Sequence, residues 1–415
     1  MLERKIYLEK ISPFMQKPLV KVISGLRRSG KSTFMKILIE NLKKKGVLQS
    51  NIIFISMELM EFEHLSDYKI LYNYVKKKIS RNKDIKYLFI DEVQEISGWE
   101  KAVNSIFAEN LADIYLTGSN SRLFSSEFAS LLTGRYIEIE MFPLGFAEFL
   151  QFRGKEISDD CEKEFEFYLK YGGLPGIHYL QFEDEVVFQY INSIFNTILL
   201  KDIVSRFNIR EVFLLEKITA YIFDNCGSIS SSKKIADYLK SQHIKTGIET
   251  VMNYIHYLQD AYLVYKSGRF DLKGKKHLEL YEKYYSSDIG IRHSVLGYKK
   301  NDISGILENV VYLELLRRGY TVCTGKCGTL EVDFIAEKNG KIIYIQVAYL
   351  LASKETEDRE FKPLEKINDN YPKVVLSMDK LWGNNRNGIL RMSIIDFLLS
   401  QECSSTFSAG IFQPD

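Results

Sequence analysis

The sequence predicts an α/β protein: a parallel sheet built around a phosphate-binding loop, with a helical lid and smaller modules after it. Three observations carry this reading. An apolar run, residues 19–24, passes straight into a glycine-rich loop and then into a segment with helical periodicity. A second apolar run, residues 87–90, ends in two adjacent acids, Asp91 and Glu92. Beyond residue 146 the rhythm changes to helices, then to two helices and a hairpin, then to a helix followed by two strands.

Length and composition set the frame. With 415 residues the chain exceeds one ordinary core, so several domains are expected. Hydrophobic residues at 46% and charged residues at 27% exclude a largely disordered chain. Lys and Arg number 56 against 54 Asp and Glu, a net charge of +2, which excludes a uniformly basic nucleic-acid coat but leaves room for a local basic face. Five cysteines, with one close pair at Cys323 and Cys327, form no disulfide framework and suit a reducing compartment. The first fifteen residues lack the apolar core of a secretion signal, and no charge-free run is long enough to span a bilayer. A cytoplasmic protein without membrane association is expected.

The loop that follows the first strand, residues 25–32, reads GLRRSGKS and matches G-x-x-x-x-G-K-[ST] at every fixed position, a Walker A motif. Phe34, Ile37, Leu38 and Leu42 then repeat at helical spacing. Gly25 and Gly30 let the backbone curl so that its N–H groups face phosphates, and the new helix adds its positive dipole end. Lys31 is expected to reach the β- and γ-phosphates of a nucleotide, and the Ser32 hydroxyl to ligate Mg²⁺. The expected nucleotide-binding set is Gly25, Arg28, Ser29, Gly30, Lys31, Ser32 and Thr33, together with Asp91.

Acids at the C-terminal tip of a buried parallel strand stand where ligands bind in open α/β sheets. Asp91 is therefore read as the second metal-holding group beside Ser32, and Glu92 as the general base for an attacking water. The strand at 52–56 belongs to the same sheet. A further strand, residues 113–117, ends in Gly118, Ser119 and Asn120; Ser119 and Asn120 are candidates to sense the γ-phosphate or the lytic water. Arg135, just before a strand at 137–141, is a candidate arginine finger, in cis or from a neighbouring copy, or equally a surface salt-bridge partner.

These motifs together, GLRRSGKS, LFIDEVQ, LTGSNSRL, LTGRY and FPLGFAEFL in that order, resemble the AAA+-type ATPases of bacteria and archaea that carry an uncharacterised C-terminal region. The resemblance continues at YGGLPG (171–176), KDIV (201–204) and EVDF (331–334), and so spans about residues 1–380. It implies ATP as the nucleotide, with Mg²⁺. The absence of an N-K-x-D guanine-reading motif agrees.

The expected domains are an ATPase core at 1–145, a helical lid at 146–215, a winged helix at 216–298, a nuclease-like domain at 299–400 and a tail at 401–415. In the lid, Phe188, Ile191, Ile194, Phe195, Ile198 and Leu199 make a wide apolar face, and the charges from Lys201 to Arg210 read as a solvated helical face. In the winged helix, Ser232 is expected to cap a helix over 233–239. A second helix over 247–259 is expected to bury Ile248, Val251, Met252, Ile255 and Leu258 and to expose Glu249, Asn253, His256 and Asp260. The wing tip carries Lys266, Arg269, Lys273, Lys275 and Lys276 against the single acid Asp271, a charge pattern suited to DNA phosphates. The second helix itself offers no Arg or Lys to read guanine, so a protein-docking role stays open.

The last domain predicts a helix over 303–318 bearing Glu308, then strands at 331–337 and 341–349 joined by Asn339-Gly340, a type I′ hairpin turn. That turn sets Asp333 opposite Gln346, with Glu331 on the same side. The arrangement resembles the PD-(D/E)XK nuclease core, in which a helix Glu, a strand Asp and an E-x-K hold Mg²⁺ and activate water. Here the E-x-K position reads Gln346-Val347-Ala348; of the lysines nearest in sequence, Lys326, Lys338 and Lys341, the last two flank the hairpin turn, too far from Asp333 and Gln346 along the chain. An inactive remnant of Glu308, Glu331, Asp333 and Gln346 is expected. The combined reading is an Mg-dependent ATPase that uses ATP to rearrange its C-terminal modules, with DNA, a protein partner or a second copy of itself as partner. The rivals are an ATP-gated nuclease acting on DNA and a switch that regulates a protein partner.

Overall fold

The computed structural model describes residues 2–79, 84–121, 132, 134–156, 160–299, 302–379 and 385–400. The expected tail at 401–415 and Thr133 of the LTGRY segment lie outside them. The chain divides into two compact units, one of residues 1–142 with 260–262, the other of the remaining residues.

The first unit is built on a five-stranded parallel sheet in the order β2 (Ile52–Ser56), β3 (Tyr87–Asp91), β4 (Asp113–Thr117), β1 (Val20–Ser24), β5 (Tyr136–Glu140). Helices cover both faces, which is why β1, β3 and β4 are buried at every position instead of alternating with polar residues. Val20, Val22, Leu88, Ile90, Ile114 and Leu116 point to one side and pack with Leu71 and Val75 of α3 (Tyr68–Lys78) and Trp99, Val103 and Ile106 of α4 (Trp99–Ala108). Ile23, Tyr87, Phe89 and Tyr115 point to the other and meet Tyr7 and Ile11 of α1 (Lys5–Ile11) and Phe34, Met35, Leu38 and Leu42 of α2 (Lys31–Lys44). Because all five strands run parallel, the loops after them collect at one edge of the sheet.

The second unit begins with helices α5 (Phe146–Phe152), α6 (Cys161–Tyr171) and α7 (Asp184–Thr197), the last continued by a π-helix over Ile198–Ser205. Asp202 is 2% exposed inside that π-helix, so the stretch expected to be a solvated face carries a buried acid. Helix α8 (Val212–Asp224), strand β6 (Ile229–Ser230), helices α9 (Ser232–Ser241) and α10 (Ile248–Asp260) and the hairpin β7 (Val264–Asp271)–β8 (Lys276–Ser286) follow. The cap of α9 is Ser231, one residue before the one expected. Its backbone is extended, and its hydroxyl accepts from Lys234 N, whereas Ser232 is already helical. On α10, Val251, Ile255 and Leu258 are buried and Glu249, Asn253 and His256 are exposed as expected, but Met252 and Ile248 face outward and Asp260 is buried.

Helices α11 (Ile289–Leu296) and α12 (Ile303–Arg317) lead to strands β9 (Thr321–Cys327), β10 (Leu330–Lys338), β11 (Lys341–Val347), β12 (Lys373–Ser377) and β13 (Leu390–Ser393). The β10–β11 register places Phe334 opposite Ile345 and Lys338 opposite Lys341, and both turn residues, Asn339 and Gly340, have positive φ. Helix α13 (Lys354–Glu365) covers one face through Phe361 and Leu364, which pack on Val332, Tyr344 and Val375. Pairing of β7 with β9, Arg269 beside Thr324 and Asp271 beside Lys326, joins everything into one eight-stranded sheet in the order β13-β12-β11-β10-β9-β7-β8-β6. The hairpin expected in a winged helix and the strands expected in a nuclease-like domain thus share one ladder.

Candidate active site

The loop after β1 is shaped by two glycines. Gly25 has φ +128°, and a Cβ there would sit 2.3 Å from the carbonyl oxygen of Met141, so only glycine fits between β1 and the end of β5. Gly30, at φ +102°, is the N-cap of α2 and turns the chain so that the following N–H groups open the helix. Lys31 is buried, and its Nζ donates to the carbonyl oxygens of Gly25 at 3.0 Å and Leu26 at 2.9 Å, which holds the ammonium over the loop. Ser29 is fully buried, while Arg28 and Thr33 are exposed.

Sheet order brings the second motif alongside. The Ser32 hydroxyl donates to Asp91 Oδ1 at 2.9 Å. Ser56 Oγ at the tip of β2 donates to Asp91 Oδ2 at 3.2 Å, and Thr117 Oγ1 at the tip of β4 donates to Asp91 Oδ1 at 2.6 Å. Burial lifts the Asp91 carboxyl above its ordinary range, the neighbouring Glu92 charge adds to this, and the three hydroxyl bonds oppose it.

Glu92 follows in the left-handed region at φ +55°, a conformation that costs a non-glycine residue on the order of 1–3 kcal/mol. Thr117 Oγ1 accepts from its N–H at 2.9 Å and so helps to hold that turn. The Glu92 carboxylate accepts a hydrogen bond from Gln94 Nε2 and lies 3.5 Å from Ser119 Oγ. Sequence reasoning missed Ser56, Thr117 and Gln94. A hydroxyl at the tip of each strand flanking β3 was the available signal, legible only once the strand order is known.

Asn120 is buried one residue beyond Ser119, past the same strand tip. Arg135 is not at this edge. It precedes β5, which runs parallel to β1 with Tyr136 beside Val20 and Glu140 beside Ser24. Arg135 therefore stands at the start of the strands, about 16 Å of extended chain from the loop. Its guanidinium lies over the Phe107 ring and its Nε donates to Leu132 O. This corrects the expectation of an arginine finger in cis: strand direction puts the residue at the wrong end.

In the second unit the structure brings Glu308, Glu331 and Asp333 together around a residue that sequence reasoning missed. Lys283 Nζ of β8 lies 2.8 Å from Glu308 Oε1, 2.8 Å from Glu331 Oε1 and 3.5 Å from Asp333 Oδ1. Tyr285 OH donates to Glu308 Oε1 at 2.6 Å, and Val347 N donates to Asp333 Oδ2 at 2.9 Å. Gln346 Oε1 accepts from Asp333 N, and its Nε2 donates to Glu360 of α13. Burial and the Glu308 charge raise the Asp333 carboxyl, against the pull of Lys283. Burial alone would lower the Lys283 ammonium, but the carboxylates outweigh it and hold the charge on.

Of the expected DNA-contacting cations, Lys273, Lys275 and Lys276 are exposed at the hairpin turn. Lys266 is paired with Glu282 at 2.9 Å, and Arg269 is half-buried where β7 meets β9.

Residues 17–150 match the AAA domain, and residues 162–302 match a domain of unknown function, DUF8612. An uncharacterised protein of Haemophilus influenzae is 34% identical over 400 residues, covering 96% of this chain and 99% of its own length. An uncharacterised protein of Methanocaldococcus jannaschii is 34% identical over 366 residues, 84% of this chain and 78% of its own. Among solved structures, the Walker-type ATPase of Pyrococcus abyssi aligns over 70% of this chain and 94% of its own, at 14% identity and a TM-score of 0.48. Among the described residues, no helix is long and apolar enough to cross a membrane.

Proposed function

The chain belongs to one family with these Haemophilus and Methanocaldococcus proteins and carries an AAA domain, and from that premise we propose that it binds ATP with Mg²⁺ and hydrolyses it at the loop after β1. The observation that carries this reading is the 2.9 Å bond between Ser32 Oγ and Asp91 Oδ1, which puts two hard oxygen donors from separate motifs at one point. When bound there, Mg²⁺ neutralises charge on the β- and γ-phosphates. Lys31 would leave the carbonyls of Gly25 and Leu26 for the phosphates, while the N–H groups from Gly30 to Thr33 face the same anion. Glu92 would accept the proton of the attacking water, oriented by Gln94 and Ser119. Asn120 is assigned to the γ-phosphate side of the same strand tip.

ATP turnover is proposed to rearrange the C-terminal modules. The shared ladder of β7 and β9 supports treating the winged-helix hairpin and the nuclease-like strands as one moving body. Contact with DNA phosphates is assigned to Lys273, Lys275 and Lys276, which are exposed at the hairpin turn, whereas Lys266 is paired with Glu282 and Arg269 is half-buried.

Two measurements test this reading. Nucleotide binding followed by titration calorimetry should be lost in Lys31→Ala; retention of wild-type affinity would contradict the phosphate site. Steady-state ATP turnover with and without single- and double-stranded DNA should rise on DNA in a salt-dependent way; identical rates would remove DNA from the account and leave the protein-partner reading.

A further inference from the structure

Three carboxylates from two elements, Glu308 on α12 and Glu331 and Asp333 on β10, cannot stand this close in ionised form without a counter-cation. The chain supplies one itself. Lys283 comes from β8, a strand of the neighbouring hairpin, and its side chain is 2% exposed.

The surrounding bonds complete the arrangement with donors. Tyr285 OH serves Glu308, the Val347 N–H serves Asp333, and Gln346 directs its amide to Glu360. Next to Glu308, Asn309 brackets the backbone of Ser286 with two bonds, Ser286 N to Oδ1 and Nδ2 to Ser286 O, both 2.8 Å, which fixes the end of β8 against α12.

Two magnitudes separate this ammonium from a catalytic lysine. A lysine that stabilises a cleaved phosphodiester must touch the phosphate, yet Lys283 is sealed from solvent and already faces three acids. An ammonium at 2.8 Å also holds its oxygens in a wider shell than the 2.0–2.1 Å that Mg²⁺ demands.

We propose that Lys283 stands in for a divalent cation, so that the cluster is a metal-free ionic clasp fastening the β7–β8 hairpin to α12 and β10. As they stand around Lys283, the three carboxylates form no metal-holding group, and the lysine is what keeps a metal out. The proposal is independent of the ATPase reading.

Mn²⁺ binding to the full chain without nucleotide, followed by electron paramagnetic resonance at neutral pH, is the test. Wild type and Asp333→Asn should bind the same amount of Mn²⁺. Lys283→Met should gain one Mn²⁺ per chain, lose it again in Lys283→Met/Asp333→Asn, and melt at a higher temperature when Mn²⁺ is added. Asp333-dependent Mn²⁺ binding in wild type would overturn the proposal, as would a folded Lys283→Met that gains no Mn²⁺. If Lys283→Met does not fold, the comparison of wild type with Asp333→Asn decides alone, equal binding supporting the clasp and unequal binding overturning it.

Discussion

Ser32 donates its hydroxyl to Asp91 across 59 residues of chain, and the same Asp91 oxygen accepts a second hydroxyl from Thr117. Two strand tips and a loop therefore converge on one carboxylate. This follows from strand order: β4 lies between β1 and β3, so its last residue stands between the two motifs.

Thr117→Val keeps the shape of the side chain and removes both its bonds, the donation to Asp91 and the acceptance from Glu92 N. Hydrogen bonds to charged groups are worth about 1.5–3 kcal/mol, so ATP turnover should fall by roughly tenfold or more, with a smaller change in nucleotide affinity. An unchanged kcat in this variant would mean that Thr117 does not position the two acids.

The module expected to be nuclease-like should leave DNA intact. With Mg²⁺ or Mn²⁺ and ATP, plasmid and oligonucleotide substrates should remain uncut on gels, because Gln346 stands where the resemblance calls for a carboxylate and Lys283 is sealed among acids. Metal-dependent cleavage that disappears in Asp333→Ala would show an active nuclease.

Acid should weaken the second unit through His178. Its ring packs among Phe149, Phe152 and Phe182, neither ring nitrogen finds a hydrogen-bond partner among the described residues, and burial followed by the Arg153 charge pushes it down to about 4. The folded state excludes a proton that the unfolded chain takes up below about 6.5. The contribution is thus fully present above that pH and is lost as pH falls from about 6.5 to about 4. Melting temperatures across this range should decline less steeply in His178→Phe, which keeps the aromatic packing. An identical slope would assign the acid sensitivity to other groups.

Much of the first unit was legible because its strands are buried on both faces and read as unbroken apolar runs. Gly25, Gly30, Lys31, Ser32 and Asp91 followed from motif spacing, since local chain geometry sets where they stand. Thr117 and Ser56 were not legible, because which strand tips become neighbours depends on the order of the sheet. The cis reading of Arg135 failed for want of one step: in a parallel sheet, a residue before β5 cannot reach the loop after β1. Lys283 was not legible because only the full length of β8, which runs to Ser286, puts Lys283 and Tyr285 on one face toward the acids.

We propose that Glu92 serves as the base of an Mg-dependent ATPase. Phosphate release from ATP by wild type and by Glu92→Gln, at saturating ATP and Mg²⁺, tests it most directly. Wild type should turn over, and Glu92→Gln should bind ATP normally while hydrolysing it roughly 10²–10⁴-fold more slowly. Equal turnover in the two proteins, or none in wild type, would contradict the account.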